Sequence, residues 1–193
     1  MLTLTDIKTW KKENLDPVSC TFCTAKWKQV TLHLHNGHTH SCHHPTSHKI
    51  PLEELKDNPS ALHNTKFKKE QRKLMLEGKR PAECDYCWRV EDSGSEELSD
   101  RTYKSFEPWA QPHIQDIVDK GWDDNVNPSY LEVSFSSVCN LKCSYCSPQV
   151  SSKWMEEIKE HGPYNTSNKF NDLQWLIQTD AMPIPNREPN PYI

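Results

Sequence analysis

Tyr130-Leu-Glu-Val-Ser-Phe-Ser-Ser-Val-Cys139-Asn-Leu-Lys-Cys143-Ser-Tyr-Cys146 runs from an alternating apolar strand into three closely spaced cysteines. Leu131, Val133 and Phe135 alternate with Glu132 and Ser134, the period of a β-strand. A helical pattern follows from about Ser152 to His161, with Trp154, Met155 and Ile158 on one side and Gly162-Pro163 as its stop. Strand, loop and helix make one β/α unit, and in barrels of such units the chemistry sits at the C-terminal ends of the strands. The loop spaces its cysteines as C-x3-C-x2-C. Three thiolates can hold three irons of a [4Fe–4S] cube and leave the fourth iron without a protein ligand. Structural metal sites are closed, whereas an open coordination position marks a site that binds and transforms something.

Composition bounds what surrounds this unit. The chain of 193 residues can hold one ordinary domain or two small ones. Its hydrophobic fraction of 34% and mean hydropathy of -0.88 argue against one large apolar core. Seven Trp, six Tyr and five Phe partly compensate, because aromatics bury much area each. A net charge of -4 gives no case for nucleic acid or a membrane surface. The N-terminus lacks the pattern of a signal peptide, and no stretch approaches the ~18 apolar residues of a membrane span. A cytoplasmic protein with reduced thiols is expected, so its eight cysteines point to metal rather than disulfides.

The remaining cysteines form a second group. Cys20 and Cys23 make one C-x-x-C, Cys84 and Cys87 another, and Cys42 stands between. Five thiols compete for four positions, so Cys20 is either an alternative ligand or a free thiol. Residues 30–35, Asn36-Gly37 and residues 38–42 predict a β-hairpin with a two-residue type I′ turn. That register sets His35 against His38 and His33 against His40 on one face. With His43, His44 and His48 nearby, this face could hold Zn²⁺, although a polar solvent-facing surface is the simpler expectation.

Short helices are predicted at Pro51–Lys56, from Asn58-Pro59-Ser60, over Thr65 to Glu77 with Gly78 as its stop, and over Pro112 to Lys120 closed by Gly121. The basic stretch Lys66 to Arg80 reads as the wet face of an amphipathic helix. Glu91 to Asp100 reads as a solvated loop. No further strand is recognisable after the cysteine triplet.

With these residues in view, Cys139-Asn-Leu-Lys-Cys143-Ser-Tyr145-Cys146, including the aromatic before the last cysteine, resembles the radical S-adenosylmethionine (SAM) superfamily. The resemblance implies a [4Fe–4S] cluster on Cys139, Cys143 and Cys146, with SAM chelated at the open iron and Tyr145 beside the adenine. It further implies one-electron cleavage of SAM to a 5′-deoxyadenosyl radical, with an electron donor such as flavodoxin or ferredoxin. Phe22-Cys23-Thr-Ala-Lys26-Trp27, the hairpin ending at Cys42, and Cys84-x-x-Cys87 resemble a SPASM or twitch domain. That implies an auxiliary [4Fe–4S] cluster on Cys23, Cys42, Cys84 and Cys87. Relatives often have Pro where Lys26 stands, and the N-terminal position is similar to modules of radical SAM proteins encoded by tailed phages, which would act in the host cytoplasm.

The expected architecture is therefore an α+β iron–sulfur module of hairpin and short helices (1–105), a helix and linker (106–129), and the first β/α unit of an incomplete radical SAM (β/α) barrel (130–193). The Gly-Gly-Glu motif that holds the amino group of SAM in the family is absent, so the chain resembles the N-terminal part of a longer enzyme. Little SAM cleavage is expected without a C-terminal part. The lone barrel strand is expected to expose unpaired backbone. Two other readings stay open: a zinc-stabilised interaction module without catalysis, and a two-cluster electron-transfer protein. The substrate is not legible.

Overall fold

Thr3 starts the first helix with a reciprocal cap. Its hydroxyl accepts from the Asp6 N–H, and its own N–H donates to Asp6 Oδ2 at 2.7 Å. The computed structural model describes residues 3–164 and 169–193. In chain order the elements are α1 (Leu4–Asn14), α2 (Ala25–Lys28), β1 (Gln29–His33), β2 (His38–His40) and β3 (His48–Lys49). Then come α3 (Leu52–Asp57), α4 (Lys66–Leu76), α5 (Asp85–Asp92), α6 (Asp100–Phe106) and α7 (Ile114–Lys120). The last are β4 (Tyr130–Ser134), α8 (Ser152–His161) and α9 (Leu173–Gln178). The chain divides into two compact units, one of residues 1–31 with 39–132 and the other of residues 32–38 with 133–193.

The first unit is built around Trp27, which is fully buried with Leu15, Phe22, Met75, Trp88, Ile117 and Val126. Its indole N–H donates to the Gly121 carbonyl at 3.0 Å, so the ring is satisfied at its polar end. The α4 helix starts at Thr65, whose hydroxyl accepts from the Lys68 N–H, and it ends before Gly78 at φ 71°. Its buried face is not the expected one. Lys68, Arg72 and Met75 point inward while Phe67 is exposed. The guanidinium of Arg72 donates to the Lys26 carbonyl and to Asn64 Oδ1 and lies 3.3 Å from His63 Nε2. Asn64 in turn bonds both the N–H and the carbonyl of Val126. A buried cation survives here because backbone and side-chain acceptors replace its water.

The strands form one sheet in the order β3-β2-β1-β4. The hairpin is present, but residues 34–37 form a four-residue turn in which only Gly37 has positive φ. The predicted two-residue turn needs both central residues there. The second unit takes the polar groups such a turn would use. Leu34 N–H donates to the Ser134 carbonyl, the His35 carbonyl accepts from Ile184 N–H, and the Asn36 amide donates to the Ala181 carbonyl. His35 therefore lies in the turn, and both His35 and His38 are buried rather than solvent-facing.

Ser129 N–H donates to the Lys28 carbonyl and Leu34 N–H to the Ser134 carbonyl, so β4 runs parallel to β1. One edge of β4 is thus paired, against the expectation of a lone strand. Leu131 and Phe135 are nonetheless exposed. In the second unit α8 follows as expected, with Ser151 as its cap and Gly162 at φ 86° after it. Met155, Leu176 and Ala181 form a small core there.

Candidate metal centres

Four cysteines from three separated segments converge in the first unit. Cys23 precedes α2, Cys42 follows β2, Cys84 stands immediately before α5 and Cys87 lies within it. All four line one pocket with Lys26, Ser41, Met75, Arg101 and Lys104. Cys20 is exposed, its sulfur 3.8 Å from the Gly78 carbonyl, and it does not line this pocket. The chain bends between the two thiols because Arg101 clamps it. Its guanidinium donates to the carbonyls of Cys20 and Phe22 at 2.9 and 2.8 Å, while Glu91 Oε1 holds its Nε. Ser105 accepts from the Thr24 N–H one turn further along α6.

Burial disfavours the ionised form of the pocket thiols. Burial, and then Cys23, pushes both Cys42 and Cys87 up to about 12. Burial also raises Cys84. Opposing this, the amide N–H of His44 donates to Cys42 and that of Arg101 to Cys87. Lys26 is buried in an ion pair with Glu83. Against the desolvation that would lower it, Cys84 and Glu83 hold its ammonium above its usual range. Ser41 Oγ is buried on the pocket wall and has no hydrogen-bond partner among the described residues. Metal binding would have to draw protons off these thiols.

Cys139, Cys143 and Cys146 lie in the second unit, on the loop between β4 and α8, and all three are half-buried. The start of α8 shapes the loop. Ser152 Oγ accepts from the Cys139 N–H and donates to the Cys139 carbonyl, Ser151 Oγ donates to the Leu141 carbonyl, and the Trp154 indole donates to the Cys143 carbonyl at 2.9 Å. Tyr145 is 90% exposed. A hydrogen bond to Cys143, reinforced by the negative charge of all three cysteines, raises its phenol. All three cysteines thus bear electrostatically on Tyr145.

Among the described residues, no three cysteine sulfurs all lie within 4.8 Å of one another; the one such group of ligand atoms belongs to His43, His44 and Asp100. The hairpin imidazoles His33, His35, His38 and His40 form no such group. Arg101 and Ser41 were not recognised from sequence. A cation ten residues after an acidic Glu91 carries no local signal of a clamp.

No family model, curated protein or solved structure matches the chain.

Proposed function

We propose that this chain holds two iron–sulfur clusters and belongs to a radical SAM enzyme, with the catalytic cluster on Cys139, Cys143 and Cys146 and an auxiliary one on Cys23, Cys42, Cys84 and Cys87. The observation that carries the proposal is the convergence of four distant cysteines on one pocket of the first unit; the second unit separately carries three on one loop. A four-thiolate pocket is closed, and a three-thiolate loop leaves one position for a ligand. When bound, such a cluster with SAM at its open iron supplies one-electron cleavage of SAM. This chain's residues present the thiolates, direct amide N–H groups at Cys42 and Cys87, and offer Tyr145 as a flat surface beside the open side.

Four cysteines are also zinc's donor set, which keeps the reading of a zinc-stabilised interaction module. Zn–S bonds of about 2.3 Å hold tetrahedral sulfurs roughly 3.8 Å apart.

Anaerobic purification followed by iron, sulfide and zinc analysis tests the proposal. About eight irons and eight sulfides per chain are expected. Adding SAM to the reduced protein should alter the EPR spectrum of one cluster, and C143S should abolish that change. Zinc without sulfide at both sites after attempted reconstitution refutes the proposal. Two clusters with no response to SAM favour electron transfer instead.

A further inference from the structure

On the rim of the four-cysteine pocket, two imidazoles aim at one carboxylate oxygen. His44 Nε2 lies 2.7 Å from Asp100 Oδ2, and His43 Nε2 lies 3.5 Å from the same atom. The rings of His43 and His44 are 4.0 Å apart at their centroids. His44 also stacks on Tyr86 at 3.7 Å and 11°, which fixes the direction of its nitrogen edge. An ordinary histidine–aspartate hydrogen bond accounts for His44 and Asp100. It does not account for a second imidazole, largely solvent-exposed, turning its Nε2 to an oxygen already bonded. Three donors from two separate segments converging on one point is the pattern of a coordination site.

We propose that His43, His44 and Asp100 bind one divalent transition-metal ion, distinct from whatever the cysteines hold. The donors are the two Nε2 atoms and Asp100 Oδ2. Bonds of 2.0–2.2 Å set tetrahedral donors roughly 3.4 Å apart. His43 and Asp100 already have that separation, and His44 and Asp100 need open by less than 1 Å. Two imidazoles among three donors select zinc or ferrous iron over magnesium or calcium. Three protein ligands leave further positions open. The same three residues line a groove walled by Tyr86, Tyr103, Trp109 and Tyr130, with Lys104 beside them. A bound ion would thus offer its open positions to a ligand with a flat apolar part and an oxygen or nitrogen donor.

The test is zinc equilibrium dialysis on the full chain after cluster reconstitution, with zinc-edge X-ray absorption on the product. One zinc per chain is expected with nitrogen and oxygen neighbours and no sulfur. H43A and D100N should each weaken its binding at least tenfold, with iron and sulfide content unchanged in H43A. His43 is a surface side chain, so H43A does not depend on refolding a core. Absence of a zinc with nitrogen and oxygen neighbours in the parent overturns the proposal. So does undiminished binding in both variants. The iron–sulfur reading fails separately: zinc held by the cysteines shows sulfur neighbours at about 2.3 Å.

Discussion

Replacing Lys26 by Met removes one half of a buried ion pair on the pocket wall. The Lys26 side chain is 2% exposed and its partner Glu83 13%. Losing one partner leaves the other charge buried and uncompensated, which costs about 3–5 kcal/mol. Taking the low end, because Glu83 keeps some water, K26M should destabilise the metal-free first unit by ~3 kcal/mol. At roughly 4 °C per kcal/mol for a unit of this size, the midpoint falls by ~12 °C. The ammonium is held above its usual range, so its charge is complete at neutral pH and the effect should be constant from pH 6 to 8. K26M/E83M removes both charges and fills the space with apolar atoms, so it should return to within ~1 kcal/mol of the parent. Urea unfolding by circular dichroism, with chelator and reductant present, measures all three proteins. A K26M loss under ~1 kcal/mol, or a double variant no better than K26M, refutes this reading of the pocket wall.

Three further outcomes are expected. C20S should retain the iron of the parent while C23S loses the auxiliary cluster, measured by iron and sulfide analysis; equal loss in both would show that Cys20 is a ligand. Cys42 and Cys87, ordinarily near 9.0, are pushed up to about 12 in the fold. Between these values the unfolded chain holds fewer protons, so metal-free stability should fall as pH rises from 9 to 12. Denaturant midpoints should flatten over that range in C42S/C87S, and a flat parent profile would contradict the burial of these thiols. G37A adds a Cβ at φ +71° that would collide with the Tyr192 ring. It should cost the second unit at least ~2 kcal/mol, of which the left-handed backbone alone contributes about 1–2. Hydrogen exchange of the α8 amides reads this loss, and unchanged exchange would exclude the packing of Tyr192 on the turn.

Regular local signals were legible in the sequence. The alternation at Leu131, Val133 and Phe135, the stop at Gly162-Pro163 and the Thr65 start of α4 each rest on adjacent residues, and each has its element. The Thr3-x-x-Asp6 cap of α1 is an equally local signal. The burial of Lys68 and Arg72 was not legible, because their acceptors, Thr39, Asn64 and the Lys26 carbonyl, come from elsewhere in the chain. The hairpin turn differed for the same reason: the second unit's segments take the hydrogen bonds that a two-residue turn would make. At the candidate site, cysteine spacing indicated which thiols could group. The gathering of His43, His44 and Asp100 depends on a return of the chain some 56 residues later. Spacing along a hairpin pointed instead at His33 and His40.

The parallel pairing of β1 with β4 has a consequence for synthesis. About 100 residues separate Gln29 from Tyr130. At roughly 5–20 residues per second, the ribosome needs about 5–20 s to deliver the neighbour that β1 requires. Through that interval β1 carries an open row of amides and carbonyls on a nascent chain whose completed thiols rise from two to five of its eight. Early metal capture by Cys23, Cys42, Cys84 and Cys87 would close the first unit's pocket while that edge still waits. The order of assembly is then set by translation as much as by affinity.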